Sequence, residues 1–187
     1  MDLDAVALIE RPRVSWPNAT GATAVPAAFE RLFRAEYARV VRVAYRVVGD
    51  QAEAEDVAQD VFVAFYRAHS PDMPYAPAWL HRAAAHTALN AIRSRSRRTA
   101  REERDAAGRE ASADPEGAAL ERERAREVRA TLARMPRGAA ELLALRYSGL
   151  SYAEVAAATG TKIDQVGTRL RRAHDAFRKE VSRGQHR

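Results

Sequence analysis

From Phe29 to Val48 apolar residues return every third or fourth position, at Phe29, Leu32, Phe33, Tyr37, Val40, Val41, Ala44, Val47 and Val48, until Gly49 ends the run. That period lines one side of an α-helix and gives it a wide face that must be buried. The same period continues downstream. Asp50 and Glu53 have the spacing of a capping box, and Ala54, Val57, Ala58, Val61, Phe62 and Phe65 follow on one face of a second helix. Three prolines in residues 69–77, HSPDMPYAP, interrupt the pattern. A third helix is predicted to start near Pro77 or Ala78, with Leu80, Ala83, Ala84, Thr87, Ala91 and Ile92 inward. No stretch alternates as a strand would, and no helical-array repeat is visible, so the expected fold class is all-α.

Residues 99–113 are small, charged and aperiodic, the composition of a flexible linker. Asp114 before Pro115 reads as an N-cap and first-turn proline. Leu120, Ala125, Val128 and Leu132 then mark a helix that stops at Pro136, and a short helix over about 138–147 carries Leu142, Leu143 and Leu145. The chain therefore divides into a loosely attached extension over 1–26, a helical module over 27–98, the linker over 99–113, and a second module over 114–183, fraying after about Val181.

The stretch from Ser151 to Lys179 contains the densest local signals. Ser151 and Glu154 form a capping-box pattern, Gly160 supplies a left-handed stop, and Thr161 with Asp164 has the spacing of another box. Ile163, Val166, Leu170, Ala173, Phe177 and Val181 define an inward stripe. Gln165, Thr168, Arg169 and Arg172 lie opposite it, with Lys162 and Arg171 adding charge beside them. Such donors reach phosphates and base edges in a major groove, and two capped helices around a glycine turn suggest a helix-turn-helix. A solvated basic face on an ordinary helical bundle remains the plain alternative. The formal net charge of +6 and pI near 10.1, carried mainly by arginine, favour a polyanionic partner.

Two other faces stand out. The second helix is acidic and polar opposite its apolar side, at Glu53, Asp56, Gln59 and Asp60, which suits docking of a basic protein. The third helix carries Arg82, His86, Asn90, Arg93 and Arg97 as a polar stripe, with Tyr75 and Trp79 beside it where unpaired bases can stack. Trp79, at the start of a helix, reads more readily as a core anchor.

Catalytic patterns are missing. The sequence holds no HExxH, P-loop, GxSxG or glycine-rich nucleotide fingerprint, and the absence of cysteine excludes disulfides, thiol catalysis and thiolate metal sites. Glu53, Asp56 and Asp60 lack the Glu-x-x-His partners of a di-metal bundle, so neither metal nor cofactor is expected. His81, His86 and His174 lie on basic helices, which favours groove contact or solvent exposure over catalysis. The acidic N-terminus is unlike a signal peptide and no run is long enough to span a bilayer, so a cytoplasmic protein without membrane insertion is expected.

These residues together resemble the extracytoplasmic-function sigma factors of bacterial RNA polymerase, in the sigma-70 family, over about Phe29 to Lys179. In the first module the resemblance rests on Gly49-Asp50, Ala54-Glu55-Asp56-Val57, Gln59, Phe62, Trp79-Leu80 and the run to Arg93, Arg97 and Arg98. In the second it rests on Leu132, Met135-Pro136, Leu145-Arg146-Tyr147, the run from Gly149 to Ala156, Gly160, Val166, Arg169-Leu170 and Arg172-Ala173. The resemblance implies that Asp56, Gln59 and Asp60 dock on the clamp helices of the largest subunit of core RNA polymerase. It also implies that Tyr75, Trp79, Arg82, His86, Asn90, Arg93 and Arg97 engage the melted minus-10 strand. Lys162, Gln165, Thr168, Arg169, Arg171 and Arg172 are by the same resemblance the readers of the minus-35 duplex. Promoter DNA and core polymerase are thus the implied partners, with an anti-sigma factor as a further one. His86, Asn90, Gln165 and Gly167 depart from the family pattern, and Gly167 costs about 1 kcal/mol of helix propensity. A stand-alone helix-turn-helix regulator and a helical protein-interaction module are the competing readings.

Overall fold

The structure is a computed structural model and describes residues 26–105 and 116–185. The expected extension, much of the linker and the Asp114–Pro115 cap lie outside these residues. All regular structure among the described residues is helical: α1 (Ala27–Val48), α2 (Gln51–Ala68), α3 (Ala76–Asp105), α4 (Glu116–Arg134), α5 (Arg137–Tyr147), α6 (Tyr152–Thr159) and α7 (Ile163–Gln185).

Helix α1 ends because Gly49 turns left-handed at φ 76° and donates its amide to the Tyr45 carbonyl at 2.8 Å. Helix α2 starts on Asp50, whose Oδ1 accepts the Glu53 amide at 2.9 Å. Only half of the expected box forms, since the Glu53 carboxylate pairs instead with Arg95 of α3. All six apolar residues assigned to α2 are buried, against Val40, Val43, Ala44 and Val47 of α1 and Leu80, Ala84, Ala88 and Leu89 of α3. Phe65 is fully buried at the centre, and its truncation to Ala would cost about 3–5 kcal/mol. Phe29, Phe33, Tyr37 and Phe62 close one end of this core by ring-to-ring contact.

Helix α3 overruns the predicted boundary at residue 98 and continues to Asp105. Residues 99–105, TAREERD, hold no glycine or proline, and alanine, arginine and glutamate are strong helix formers. A charged stretch without apolar period has the look of a linker, but nothing in it stops a helix already under way.

In the second module α5 is central, with Ala140, Leu142, Leu143, Ala144 and Leu145 buried. Around it pack Leu132, Met135, Leu150, Val155, Ala158, Val166, Leu170 and Ala173. Gly149, at φ 94°, makes the tight turn that lets α6 fold back from α5. Two residues expected in the core from α4 are instead outside: Leu120 is 54% exposed and Val128 43% exposed. The C-terminal part of α4 carries its packing, because Leu132 reaches the core while Leu120, about three turns earlier, lies beyond its edge. Helix α7 runs on to Gln185, past the predicted fraying point at Val181, with Glu180 near Arg134 of α4.

The two modules pack together. Helix α3 meets α4, α5 and α6 as well as α1 and α2, and α1 also touches α5. A helix gripped from both sides shows burial nearly all around, and Leu80, His81, Ala83, Ala84, Ala85, His86, Ala88, Leu89 and Ile92 are all buried.

Candidate nucleic-acid interface

Helices α6 and α7 form the expected capped pair. Ser151 Oγ accepts the Glu154 amide at 3.3 Å, and the Glu154 carboxylate accepts the Ser151 amide at 2.8 Å. A complete box satisfies two amides that a helix start leaves without partners, and Ser151→Ala would cost about 1 kcal/mol. Gly160 closes α6 at φ 63°. The second box does not form among the described hydrogen bonds: α7 starts at Ile163, and the Thr161 hydroxyl instead accepts from Arg169 and from Thr159, the latter at 3.1 Å.

Gln165, Thr168, Arg169, Arg171 and Arg172 are all exposed on α7, and Lys162 is exposed just before it, while Val166, Leu170 and Ala173 turn inward. Ile163 breaks the predicted stripe. It is 57% exposed, because the first turn of α7 projects past the body of the module. An exposed isoleucine beside Gln165 can meet a thymine methyl in a major groove. Sequence reasoning also misses Tyr152. Its ring lies over the Arg146 guanidinium, 5.5 Å from centroid to Cζ, and a Cβ on Gly167 would sit 3.7 Å from it. Nearby, Tyr147 Oη and His174 Nε2 lie 3.0 Å apart. Arg146, Tyr147, Tyr152, Gly167, Arg171 and His174 thus line an open basic and aromatic cleft of about 580 Å³ beside α7.

Asp56, Gln59 and Asp60 are exposed on α2. Val63 and Tyr66, unassigned from sequence, are exposed farther along the helix. The signal is present in the spacing, since Val63 falls seven residues after Asp56 and four after Gln59, on the same face.

The α3 residues fare differently. Trp79 packs against Phe65 and His69, with centroids 5.4 and 4.8 Å away, so the anchor reading describes its position. Tyr75 is exposed, with its hydroxyl 3.2 Å from His69 Nδ1. Arg82 is half-buried and Arg97 is exposed. His86, expected on an open stripe, is 6% exposed and lies against the second module, with Nε2 buried and unpartnered. Burial, and then the charges of Arg137, Arg82 and Arg93, lower its pKa below the ordinary 6.5. Arg93 donates Nε to the Ala133 carbonyl at 3.2 Å and Nη2 to the Met135 carbonyl at 3.0 Å. Asn90 Oδ1 accepts from Arg137 Nη2 at 3.0 Å. Helical period alone could not reveal this cover, which comes from residues 40 to 47 positions away.

A second link runs through α1. The buried His81 donates Nε2–H to Glu36 Oε2 at 2.8 Å, beside Arg39, whose Nη2 pairs with Glu154. Burial holds His81 below its ordinary value despite the Glu36 carboxylate. The hydrogen bond from Arg39, followed by those from Ser151, pushes the Glu154 pKa down to about 2.

The Sigma-70 region 2 model matches residues 32–98, and the Sigma-70, region 4 model matches residues 125–174. The ECF RNA polymerase sigma factor SigE of Mycolicibacterium smegmatis is 30% identical over 166 residues, which cover 86% of this chain and 64% of that protein. The RNA polymerase sigma-H factor of Pseudomonas aeruginosa is 33% identical over 167 residues, or 82% of this chain and 86% of that protein. Among solved structures, CnrH in complex with the cytosolic domain of CnrY is similar at 26% identity and a TM-score of 0.49, covering 82% of this chain and 87% of that one. The sigma factor RpoE in complex with the anti-sigma factor NepR from Bartonella quintana is similar at 19% identity and a TM-score of 0.46, covering 82% and 96%.

Proposed function

The chain belongs to the sigma-70 family of RNA polymerase sigma factors, in its extracytoplasmic-function group, and from that membership we propose how its two modules divide the work of promoter recognition. The α2 face of Asp56, Gln59 and Asp60, extended by Val63 and Tyr66, docks on the clamp helices of core polymerase. Tyr75, Trp79 and the α3 stripe receive the unpaired minus-10 strand. The outward residues of α7 read the minus-35 duplex, with Ile163 as an added apolar contact. No step in this scheme needs a catalytic side chain: bases that open thermally are trapped by stacking and by cations. The chain's place of action is the cytoplasm, beside polymerase and chromosome. Among the described residues no helix is long and apolar enough to cross a membrane.

The observation that carries this reading is the segregation of charge between modules. One presents exposed carboxylates on α2, the other exposed arginines on α7, which suits two different partners at once. Purified chain added to core polymerase should bind it and start transcription at discrete promoters mapped by their RNA 5′ ends. Asp56→Ala with Gln59→Ala should weaken core binding about tenfold, two rim contacts of roughly 0.7 kcal/mol each, with an unchanged circular dichroism spectrum. Failure of the unaltered chain to bind core at low salt would sink the proposal.

A further inference from the structure

Two hollows beside the second module run into each other. One is the open cleft beside α7. The other is a slot of about 320 Å³ between the C-terminal end of α1 and helices α4, α5 and α7, walled by Val47, Val128, Leu132, Leu143 and Phe177. Tyr147 and His174 line both, so the two form one groove. Its apolar wall is uncovered at the rim, where Val128 is 43% and Tyr147 63% exposed.

No carboxylate lines this groove, whereas Arg46 stands at the slot and Arg146 and Arg171 at the cleft. Neither Arg46 nor Arg171 pairs with a carboxylate among the described residues, while Arg134, Arg178 and Arg183 of α4 and α7 all do. An apolar slot between unneutralised cations fits an aliphatic segment with carboxylates at both ends. A nucleic acid supplies the anions but has no aliphatic side chains for the slot.

Residues 2–10, DLDAVALIE, have that chemistry. Val6, Leu8 and Ile9 lie between Asp2 and Asp4 on one side and Glu10 on the other, with no Lys or Arg among them, on a chain of net charge +6. The tether is long enough. Arg46 lies 20 positions along the chain from Pro26, at the other end of α1, which is about 30 Å at the helical rise. Residues 11–25 can span up to roughly 50 Å.

We propose that residues 2–10 dock in this groove of their own chain, with Val6, Leu8 and Ile9 in the slot, Glu10 towards Arg46, and Asp2 and Asp4 towards Arg146 and Arg171. A segment tethered in this way meets its site at an effective concentration of about 1 mM, so weak intrinsic binding is enough to hold it there.

The test uses the full chain and a fluorescent peptide of residues 1–12, read by anisotropy. In the Leu8→Asp/Ile9→Asp variant the groove is vacated, and the peptide should bind with a dissociation constant on the order of 10–100 μM. The unaltered chain should bind it at least about tenfold more weakly, because its own segment competes. Adding Val128→Glu and Arg46→Glu to the vacated chain should abolish binding, with circular dichroism and thermal melting to establish that the variant is folded. Arg46→Glu alone is the milder form of this test, and a peptide carrying Glu10→Arg should then bind better than the natural one, a rescue that unfolding cannot imitate. No binding to the vacated chain at about 1 mM peptide overturns the proposal, and so does equal affinity for the vacated and unaltered chains. Binding that ignores the groove substitutions places the site elsewhere and overturns it too. If sedimentation shows dimers of the unaltered chain that Leu8→Asp/Ile9→Asp dissolves, the occupant is the segment of a second copy and docking within one chain is overturned.

Discussion

Helices α3 and α7 carry polar faces of similar make-up, yet one is covered and the other bare. On α7, Gln165, Thr168, Arg169 and Arg172 are exposed in a row. On α3, His86 is buried and Asn90 and Arg93 are tied to the second module. The difference lies in position within the assembly. Helix α7 packs on α4, α5 and α6 with one side only, whereas α3 stands between two modules and both of its sides are claimed. A polar stripe is thus a statement about which side a helix turns from its own core, and says nothing of what another module does with it.

The largest expected effect breaks the contrast at its bare end. Arg169→Ala with Arg172→Ala should lower holoenzyme affinity for duplex promoter about a hundredfold, at roughly 1–3 kcal/mol per side chain, and flatten the salt dependence by about one unit of slope for each phosphate no longer neutralised. Fluorescence anisotropy over a salt series measures both, and a wild-type slope would place DNA elsewhere than on α7.

A smaller effect concerns the shape of the same helix. Gly167 is helical, and a Cβ there meets the Tyr152 ring at an ordinary 3.7 Å. Gly167→Ala should stabilise the chain by about 1 kcal/mol, seen as a melting temperature a few degrees higher. A lower melting temperature would mean that Tyr152 needs the space.

The smallest is a pH effect confined to α3. His86 lies near Arg82, Asn90 and Arg93 of its own helix and Arg137 of α5, and Arg82, Arg93 and Arg137 also act on Glu141 of α5. Its pKa in the folded chain is lowered from 6.5, so the unfolded chain binds more protons and acidification through 6.5 lowers stability. Burial raises Glu141 from 4.5 and works in the opposite sense at lower pH, which makes the range from about 7.5 to about 6 the one to read. The melting temperature should decline slightly over that range, and His86→Gln should reduce the decline, with the buried His81 supplying the remainder.

Much of the molecule is readable where the relevant forces are local. The Ser151–Glu154 box, the stops at Gly49 and Gly160 and the six inward residues of α2 depend on neighbours within a turn or two, and each is found as expected. The misses arise where distant parts decide. Thr161 lends its hydroxyl to Arg169 instead of a box, and Glu53 turns its carboxylate to Arg95, 42 residues away. Ile163 and Leu120 satisfy the period of their helices but lie beyond the edge of the core those helices join. Arg39, Arg137 and Glu141 have no local signal at all, since nothing in a single helix shows that a second module will close over it.

Glu154 belongs to two structures at once, the cap that starts α6 and the ion pair with Arg39. The two ends of that pair are therefore not equally costly to replace. A substitution at Glu154 removes the ion pair and the cap together, so the contact between the modules and the start of α6 are lost in one step. Arg39 takes no part in the Ser151–Glu154 box, so its replacement removes the link between the modules and leaves the two hydrogen bonds that start α6 in place.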